Sequence, residues 1–354
     1  MPRPRKIGVL TFHRCINYGS YWQARCLVEG LRARGFDAEL LDHHCDTVER
    51  AELRCAFQPK LPERTPRREL GYYAEKTRRF RDAFRRMPRS RRFSLHRPAH
   101  AGEYDTVVIG SDEVWNFRHP WYGSKPIFFG DGLKTERLVS YAASFGNHSA
   151  REGVDPRWAA KLKGFAGLSV RDENSWHLLS GGAGVEPHVV LDPCLQFAQY
   201  AQAPTARGDY ALVYGHGFPP WLEVAVRRWS ERRRIRLVSV GYSNPWADDQ
   251  HPSASPQDFA ELMSNARAVV TNFFHGCIFA LLNGKPWVTS PSNYRAIKIP
   301  DLASLLGVRH RIVDEQTTPA TLDDLLMTSG GPDLDHRIGE FRARSDAFLD
   351  ASLS

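Results

Sequence analysis

No apolar run in this 354-residue chain approaches the roughly 20 residues that span a bilayer, so no transmembrane helix is expected. The opening stretch, basic at MPRPRK and apolar at IGVLTF, is too short for a secretory h-region, and Thr11, His13 and Arg14 interrupt it at once. The sequence therefore reads as that of a soluble, cytoplasmic protein. The six cysteines, Cys15, Cys26, Cys45, Cys55, Cys194 and Cys277, stand singly with no CxxC pair, which argues against a zinc ribbon and against a disulfide framework. Asp42-His43-His44-Cys45 comes nearest to a metal cluster. Adjacent positions at a strand end point to opposite sides, however, and no second ligand pair follows at zinc-finger spacing, so no metal is expected. A GxSxG elbow, HExxH, P-loop, GxGxxG and the kinase motif set are also missing, which removes support from hydrolase, metalloprotease and NTPase readings.

What is present is ordinary globular composition, 42% hydrophobic and 25% charged, at a length that predicts about two domains. The formal charge of +8 is uneven. Residues 50–97 hold fourteen Arg and two Lys against five carboxylates, a surplus of eleven, so the rest of the chain is slightly acidic. Leu70, Tyr73, Thr77, Phe80 and Phe84 recur in this tract at three- to four-residue spacing, which predicts an amphipathic helix with a solvated Arg face. An anionic docking face and a nucleic-acid surface are the competing readings of the same charge; no specific nucleic-acid partner is expected.

Strand, helix and strand patterns at 7–12, 21–34 and 38–42 form a βαβ opening, followed by short apolar strands near 106–110, 138–142, 168–171 and 189–192. A boundary is expected within 196–208, which is rich in Ala, Gln and Pro and lacks periodicity. A second series follows: strand 210–214, helix 220–233, strand 237–240, a helix opened by Ser255-Pro256, strand 268–271, a helix over about 275–282, and strand 287–290. A last helix is expected over 335–351. The domains are thus expected at 1–200, with an Arg-rich helical insertion near 50–97, and at 201–330, with 331–354 as a C-terminal helix. The fold class is α/β, two facing Rossmann-like domains with a cleft between them, in which ligands sit at strand carboxyl ends.

Four strand exits carry candidate chemistry. After the first strand, a turn through Asn17, Tyr18 and Gly19 offers backbone N–H groups and a helix start to an anion. Asp112 and Trp115 lie in a polar exit, GSDEVWN, where capping is the simpler role for Ser111 or Asp112. Arg171 leaves a buried strand and pairs with a neighbouring carboxylate or grips an anion. The fourth exit, TNFFHG, sets His275 and Gly276 at a helix mouth, with Lys285, Arg295 and Lys298 beyond. One histidine with several cations suits an anionic substrate and proton transfer. Tyr18, Trp22 and Trp115 are candidate sugar-stacking faces, with core packing as the commoner fate of such rings.

Together, IGVLTFHRCINYGSYWQA, YDTVVIGSDEVWN, LVSYAASFG, LSVRDENS, VVLDP, TNFFHG, NGKPWV and SLLGVRHRI resemble the polysaccharide pyruvyl transferase family, in order, over most of 7–312. The resemblance implies a GT-B-like architecture and transfer of a pyruvyl group from phosphoenolpyruvate, as co-substrate, to hydroxyls of a sugar-like or lipid-linked acceptor, forming a ketal. It implies His275 as the acid/base and Arg171 as the arginine of the SVR segment; the residues themselves suggest Lys285, Arg295, Lys298, Asn17 and Gly276 beside Arg171 toward the donor, and Tyr18, Trp22, Asp112 and Trp115 toward the acceptor. No cofactor is implied, and a homo-oligomer is left open. Some members carry an arginine two residues before the histidine, where this chain has Phe273, so Arg295 or Lys298 is the candidate replacement cation. A GT-B glycosyltransferase using a nucleotide-sugar donor is the alternative enzyme, and an anionic-glycan or nucleic-acid binder the non-enzymatic one.

Overall fold

The structure is a computed structural model and describes residues 4–204, 206 and 208–354. Met1–Arg3 of the opening stretch, and Thr205 and Arg207 of the expected boundary, lie outside the described residues. The chain divides into two compact units. The first comprises Met1–Glu52, Arg86–Tyr200 and Ile338–Ser354, and the second Leu53–Arg85 and Ala201–Arg337.

In the first unit, β1 (Lys6–Leu10), β2 (Asp37–Leu40), β5 (Glu103–Ile109) and β6 (Lys134–Ser140) form a parallel sheet in the order β2-β1-β5-β6. Two further two-stranded parallel pieces join β3 (His43–His44) to β4 (Phe93–Ser94) and β7 (Ser169–Val170) to β8 (His188–Val189). The turn after β1 becomes helix Tyr18–Ala33 because Asn17 accepts a hydrogen bond from the Ser20 N–H, a standard N-cap. Gly30 on this helix cannot be larger, since a Cβ there would fall 2.4 Å from the Phe197 ring. The apolar faces of β1 and β5 join Trp115, Phe128, Phe145 and Leu162 in one core.

The second unit carries five parallel strands, β9 (Tyr210–Tyr214), β10 (Arg236–Val240), β11 (Asp249–His251), β12 (Ala268–Thr271) and β13 (Trp287–Thr289), in the order β11-β10-β9-β12-β13. Ser255 and Asp258 form a capping box that opens helix Pro256–Asn265, with Pro at its first position. The second core is built on Leu222, Val226, Trp229, Leu237, Val270 and Val288. Strand β11 has no hydrophobic alternation, which is why the sequence did not suggest it; parallel pairing of Val238 with Asp249 sets its register.

Two segments belong elsewhere than the sequence placed them. The basic segment was expected wholly within the first domain, but Leu53–Arg85 groups with the second unit. Helix Leu70–Arg85 buries Tyr73, Thr77, Phe80 and Phe84 of the expected stripe, and Lys76 with them, while Leu70 at its start is half-buried. The final helix is longer than expected, Gly331–Leu353, and from Ile338 onward it belongs to the first unit. There the Leu191 N–H donates to Ser345 Oγ at 3.0 Å and Arg342 Nε donates to the Leu195 carbonyl at 2.9 Å. No helix among the described residues is long and apolar enough to cross a membrane.

Candidate active site

All five strands of the second sheet run the same way, so their carboxyl ends share one edge. Strand β9 is flanked by β10 on one side and β12 on the other, which makes the β9–β12 crevice the switch point where open α/β sheets bind ligands. The end of β12 is folded tightly. Thr271 Oγ1 donates to the Tyr214 carbonyl at 2.6 Å and accepts from the Phe273 N–H at 3.1 Å. Helix Phe274–Leu282 then starts against this turn, and a Cβ on Gly276 would sit 2.0 Å from Thr271 Oγ1. The Gly276 N–H donates to the Phe273 carbonyl at 3.0 Å. Gly276 is therefore required for close helix packing, and its own N–H is engaged in the helix turn.

This packing holds His275 in the first turn of the helix at the switch point, 8% exposed. Helix N-termini favour negative charge beside them. Arg295, from the turn after β13, lies with its guanidinium 3.9 Å from the Phe273 ring centroid and donates through Nη1 to Ser292 Oγ at 2.9 Å. Lys298 opens helix Lys298–Leu305, is nearly buried, and has its Nζ 5.2 Å from the Tyr294 ring. His275, Arg295 and Lys298 thus all follow carboxyl ends of the second sheet. Lys285 does not: it lies between the end of helix Phe274–Leu282 and the start of β13, on the opposite edge of the sheet from His275. That polarity removes it from the donor set, and burial alone accounts for its lowered pKa.

Four groups near the switch point were not singled out in the sequence. Asn272 Nδ2 donates to the His216 carbonyl at 2.8 Å. The His216 ring is 4.9 Å from Tyr242 and 5.4 Å from Phe273, centroid to centroid. Lys76 Nζ donates to the Gly241 carbonyl at 2.9 Å and stands 4.5 Å from the Tyr242 ring. Burial, followed by the charges of Arg295, Lys60 and Lys76, pushes the His216 imidazole down to about 4, so it is neutral at pH 7. Burial alone brings Lys76 down to about 7, with the charge on Cys55 opposing. The only available signals were the Gly-His-Gly spelling after a strand and a lysine inside an apolar stripe.

In the first unit, Arg171 is 3% exposed and divides its guanidinium between Asp192 Oδ2 at 2.8 Å and Asp112 Oδ1 at 3.2 Å. Burial works against its charge, but Asp192 and Asp112 more than offset that and hold its pKa above the usual value. Asp112 has a left-handed φ of 70° and also accepts from Ser20 Oγ at 2.8 Å and from the Glu113 N–H at 2.9 Å. Of the carboxylates next to Arg171 in sequence, Asp172 adds to its favourable field but serves as the N-cap of the next helix, and Glu173 is that helix's first residue.

The rings proposed for sugar stacking are enclosed. Trp115 is 1% exposed, packs against Phe145 and Phe165, and donates from Nε1 to the Phe128 carbonyl at 2.8 Å, so it is a core residue and not a platform. Tyr18 and Trp22 are 0% and 2% exposed. Asn17 caps its helix. Asp42 of the Asp-His-His-Cys run accepts from both Arg14 Nε and Nη2, at 2.6 and 2.8 Å, and from Arg89 Nη1 at 2.8 Å, while His43 Nε2 pairs with the Thr11 carbonyl at 2.9 Å. Glu52, which the sequence reading passed over, accepts from Trp121 Nε1 at 2.8 Å, and burial pushes its carboxyl pKa up.

Two Rossmann-like parallel sheets, each with polar strand exits, define an α/β fold of the GT-B-like class. The family model for polysaccharide pyruvyl transferase matches residues 17–293, and the chain belongs to that family of transferases. No curated protein matches the chain. Among solved structures it is similar to a putative UDP-N-acetylglucosamine 2-epimerase from Listeria monocytogenes, with 12% identity, a TM-score of 0.56, and coverage of 99% of this chain and 96% of that one. It is also similar to S. aureus MnaA in a UDP co-structure, at 13% identity and a TM-score of 0.53 over 98% and 95% of the two chains. The Neisseria meningitidis UDP-GlcNAc 2-epimerase bound to UDP-GlcNAc gives 10% identity and a TM-score of 0.51 over 98% and 99%. At these identities the likeness concerns the fold alone.

Proposed function

We propose that the chain transfers the pyruvyl group of phosphoenolpyruvate to two hydroxyls of a sugar-like acceptor, forming a cyclic ketal and releasing phosphate. The observation that carries this reading is the placement of His275 in a helix first turn at the switch point, with Arg295 stacked on Phe273 two residues before it. In the reaction the methylene carbon of the donor takes a proton and becomes a methyl group. The adjacent carbon then becomes cationic, one acceptor hydroxyl adds to it, phosphate leaves with its bonding electrons, and the second hydroxyl closes the ring. The two hydroxyl protons released balance the one gained by carbon, the other passing to phosphate or water.

His275 supplies the proton to carbon and recovers one from the attacking hydroxyl. Arg295 and Lys298 hold the donor carboxylate and phosphate; a planar guanidinium suits a two-pronged grip on either group. Arg171, committed to two carboxylates, positions Asp112 and Asp192 and does not hold the donor.

The test is incubation of the full chain with phosphoenolpyruvate and a panel of sugars and sugar phosphates, read by mass spectrometry. A product carrying a pyruvyl ketal supports the reading. Glycosyl transfer from a nucleotide sugar, with phosphoenolpyruvate inert, overturns it in favour of a glycosyltransferase.

A further inference from the structure

The second unit contains a cleft of about 750 Å³ outside the carboxyl ends of β9 and β10, lined by Lys60, His216, Phe218, Glu223, Asn244 and Trp246 among others. Its chemistry is mixed in an informative way. Phe218 belongs to the core and packs T-shaped, centroids 5.6 Å apart, against Trp246, which is half-buried at the edge of that core and lines the cleft. Trp246 Nε1 is enclosed and makes no hydrogen bond to the described residues. Glu223 and Glu63 bring carboxylates to the same cleft, and such groups accept hydrogen bonds from ligand hydroxyls. An aromatic face beside carboxylates suits a ring that is apolar on its faces and rich in hydroxyls at its rim.

A second set of groups suits an anion. Lys60 Nζ donates to the Ser243 carbonyl at 2.5 Å, which fixes its ammonium at the cleft wall. Lys76 and Arg295 are each one ring removed from His216. Lys76 lies over Tyr242, and Arg295 over Phe273, and both of those rings pack on the His216 imidazole. Lys60, Arg295 and the partly charged Lys76 thus surround one imidazole. Burial first, and then the charges of Arg295, Lys60 and Lys76, keep this imidazole neutral. Asn244 is locked by its Nδ2, which donates to the Gly215 carbonyl and to Ser239 Oγ, both at 2.9 Å, so the cleft floor is rigid before any ligand arrives.

We propose that this cleft binds the phosphate-bearing portion of a sugar phosphate, with the sugar ring against Trp246 and the phosphate at Lys60 and His216. The proposal rests on the reading of the chain as a transferase acting on a sugar acceptor, and it narrows that acceptor to the class of sugar phosphate esters. Neutral His216 donates one hydrogen bond to a phosphate oxygen, and Lys60 supplies the counter-charge.

The test is calorimetric titration of the full chain, without phosphoenolpyruvate, against hexose and N-acetylhexosamine 1-phosphates, the UDP esters of the same sugars, the free sugars, and inorganic phosphate. Sugar phosphates are expected to bind at least about tenfold more tightly than either free sugar or phosphate, one hydrogen-bonded charge being worth that much or more. Lys60→Gln is expected to bring ester affinity down to that of the free sugar, and Trp246→Ala to weaken esters and free sugars alike. Glu223→Gln serves as a second variant if Trp246→Ala fails to fold, and is expected to weaken sugars while leaving phosphate unchanged. The 1-phosphate and UDP arms distinguish a simple ester from a nucleotide-linked one. Failure of every ester to bind overturns the proposal, as does ester binding indifferent to Lys60→Gln, or inorganic phosphate binding as tightly as the esters. Because no donor is present, a protein that binds esters but never consumes phosphoenolpyruvate overturns the proposed reaction and leaves this cleft assignment standing.

Discussion

Arg295 stacks on Phe273: the guanidinium carbon lies 3.9 Å from the ring centroid, so the cation and the residue two positions before His275 form one unit. Where some members of the family place an arginine in the chain at this point, here an aromatic ring holds an arginine supplied by the turn after β13. Cation–π contacts of this kind are worth about 0.5–2 kcal/mol, enough to orient a long side chain. Phe273→Leu keeps the apolar volume and removes the ring quadrupole. We expect it to raise KM for phosphoenolpyruvate about three- to tenfold with a smaller effect on kcat, and Arg295→Ala to raise it further. Unchanged donor kinetics in both variants would show that this cation does not contact the donor.

Arg171 bridges Asp112 and Asp192 in the interior of the first unit. Removing one partner of a buried charge network leaves the others uncompensated, typically at about 3–5 kcal/mol. Arg171→Met is therefore expected to lose stability on that scale in urea unfolding, and Arg171→Lys to lose part of it, because one ammonium cannot reproduce the planar fork that spans two carboxylates. A Met variant as stable as the parent would contradict the structural role.

His43 gives a pH signature. Burial first, then the charge of His13, pushes its imidazole down to about 3 from the usual 6.5. Between those values the unfolded chain binds a proton that the folded chain does not. Stability is then fully present above pH 6.5 and falls as pH drops toward 3, by up to about 1.4 kcal/mol for each pH unit. Asp42, held well below its usual value by His13 and Arg14 against the opposing effect of burial, adds to the loss at the acid end. Urea midpoints at pH 7 and pH 5 should separate less in His43→Gln than in the parent. Equal separations would mean that His43 is not buried in its neutral form.

The basic helix separates charge from packing. Arg78, Arg85 and Arg86 are exposed, whereas Arg79 reaches Asp258 at 2.8 Å. Replacing the first three with Gln should shift Tm by no more than a degree or two, since exposed pairs contribute little. Phe80→Ala, at a position 0% exposed, should cost about 3–5 kcal/mol. A large Tm loss in the triple Gln variant would show that the Arg face is packed, not solvated.

The parallel strands and their connecting helices were legible because apolar runs and caps such as Ser255-Pro256 act locally. The position of His275 was legible for the same reason: TNFFHG follows a strand and opens a helix. Lys285 falls at the amino edge of the sheet because it follows a helix and precedes a parallel strand, a polarity already carried by the order of the sequence patterns. The core fate of Trp115 was the commoner expectation for such a ring, whereas the burial of Lys76 was not legible, because it is decided by long-range packing against Gly241 and Tyr242. His216 gains its importance from Tyr242, Phe273 and three basic side chains that come from distant stretches of the chain.

The central claim is that His275 moves the proton that starts pyruvyl transfer, and acceptor-dependent phosphate release from phosphoenolpyruvate, compared between the parent and a folded His275→Ala variant, tests it most directly. The account predicts release in the parent that requires the acceptor, and a loss of about 100-fold or more in the variant with its Tm nearly unchanged. Release at the parental rate from the folded variant would contradict it.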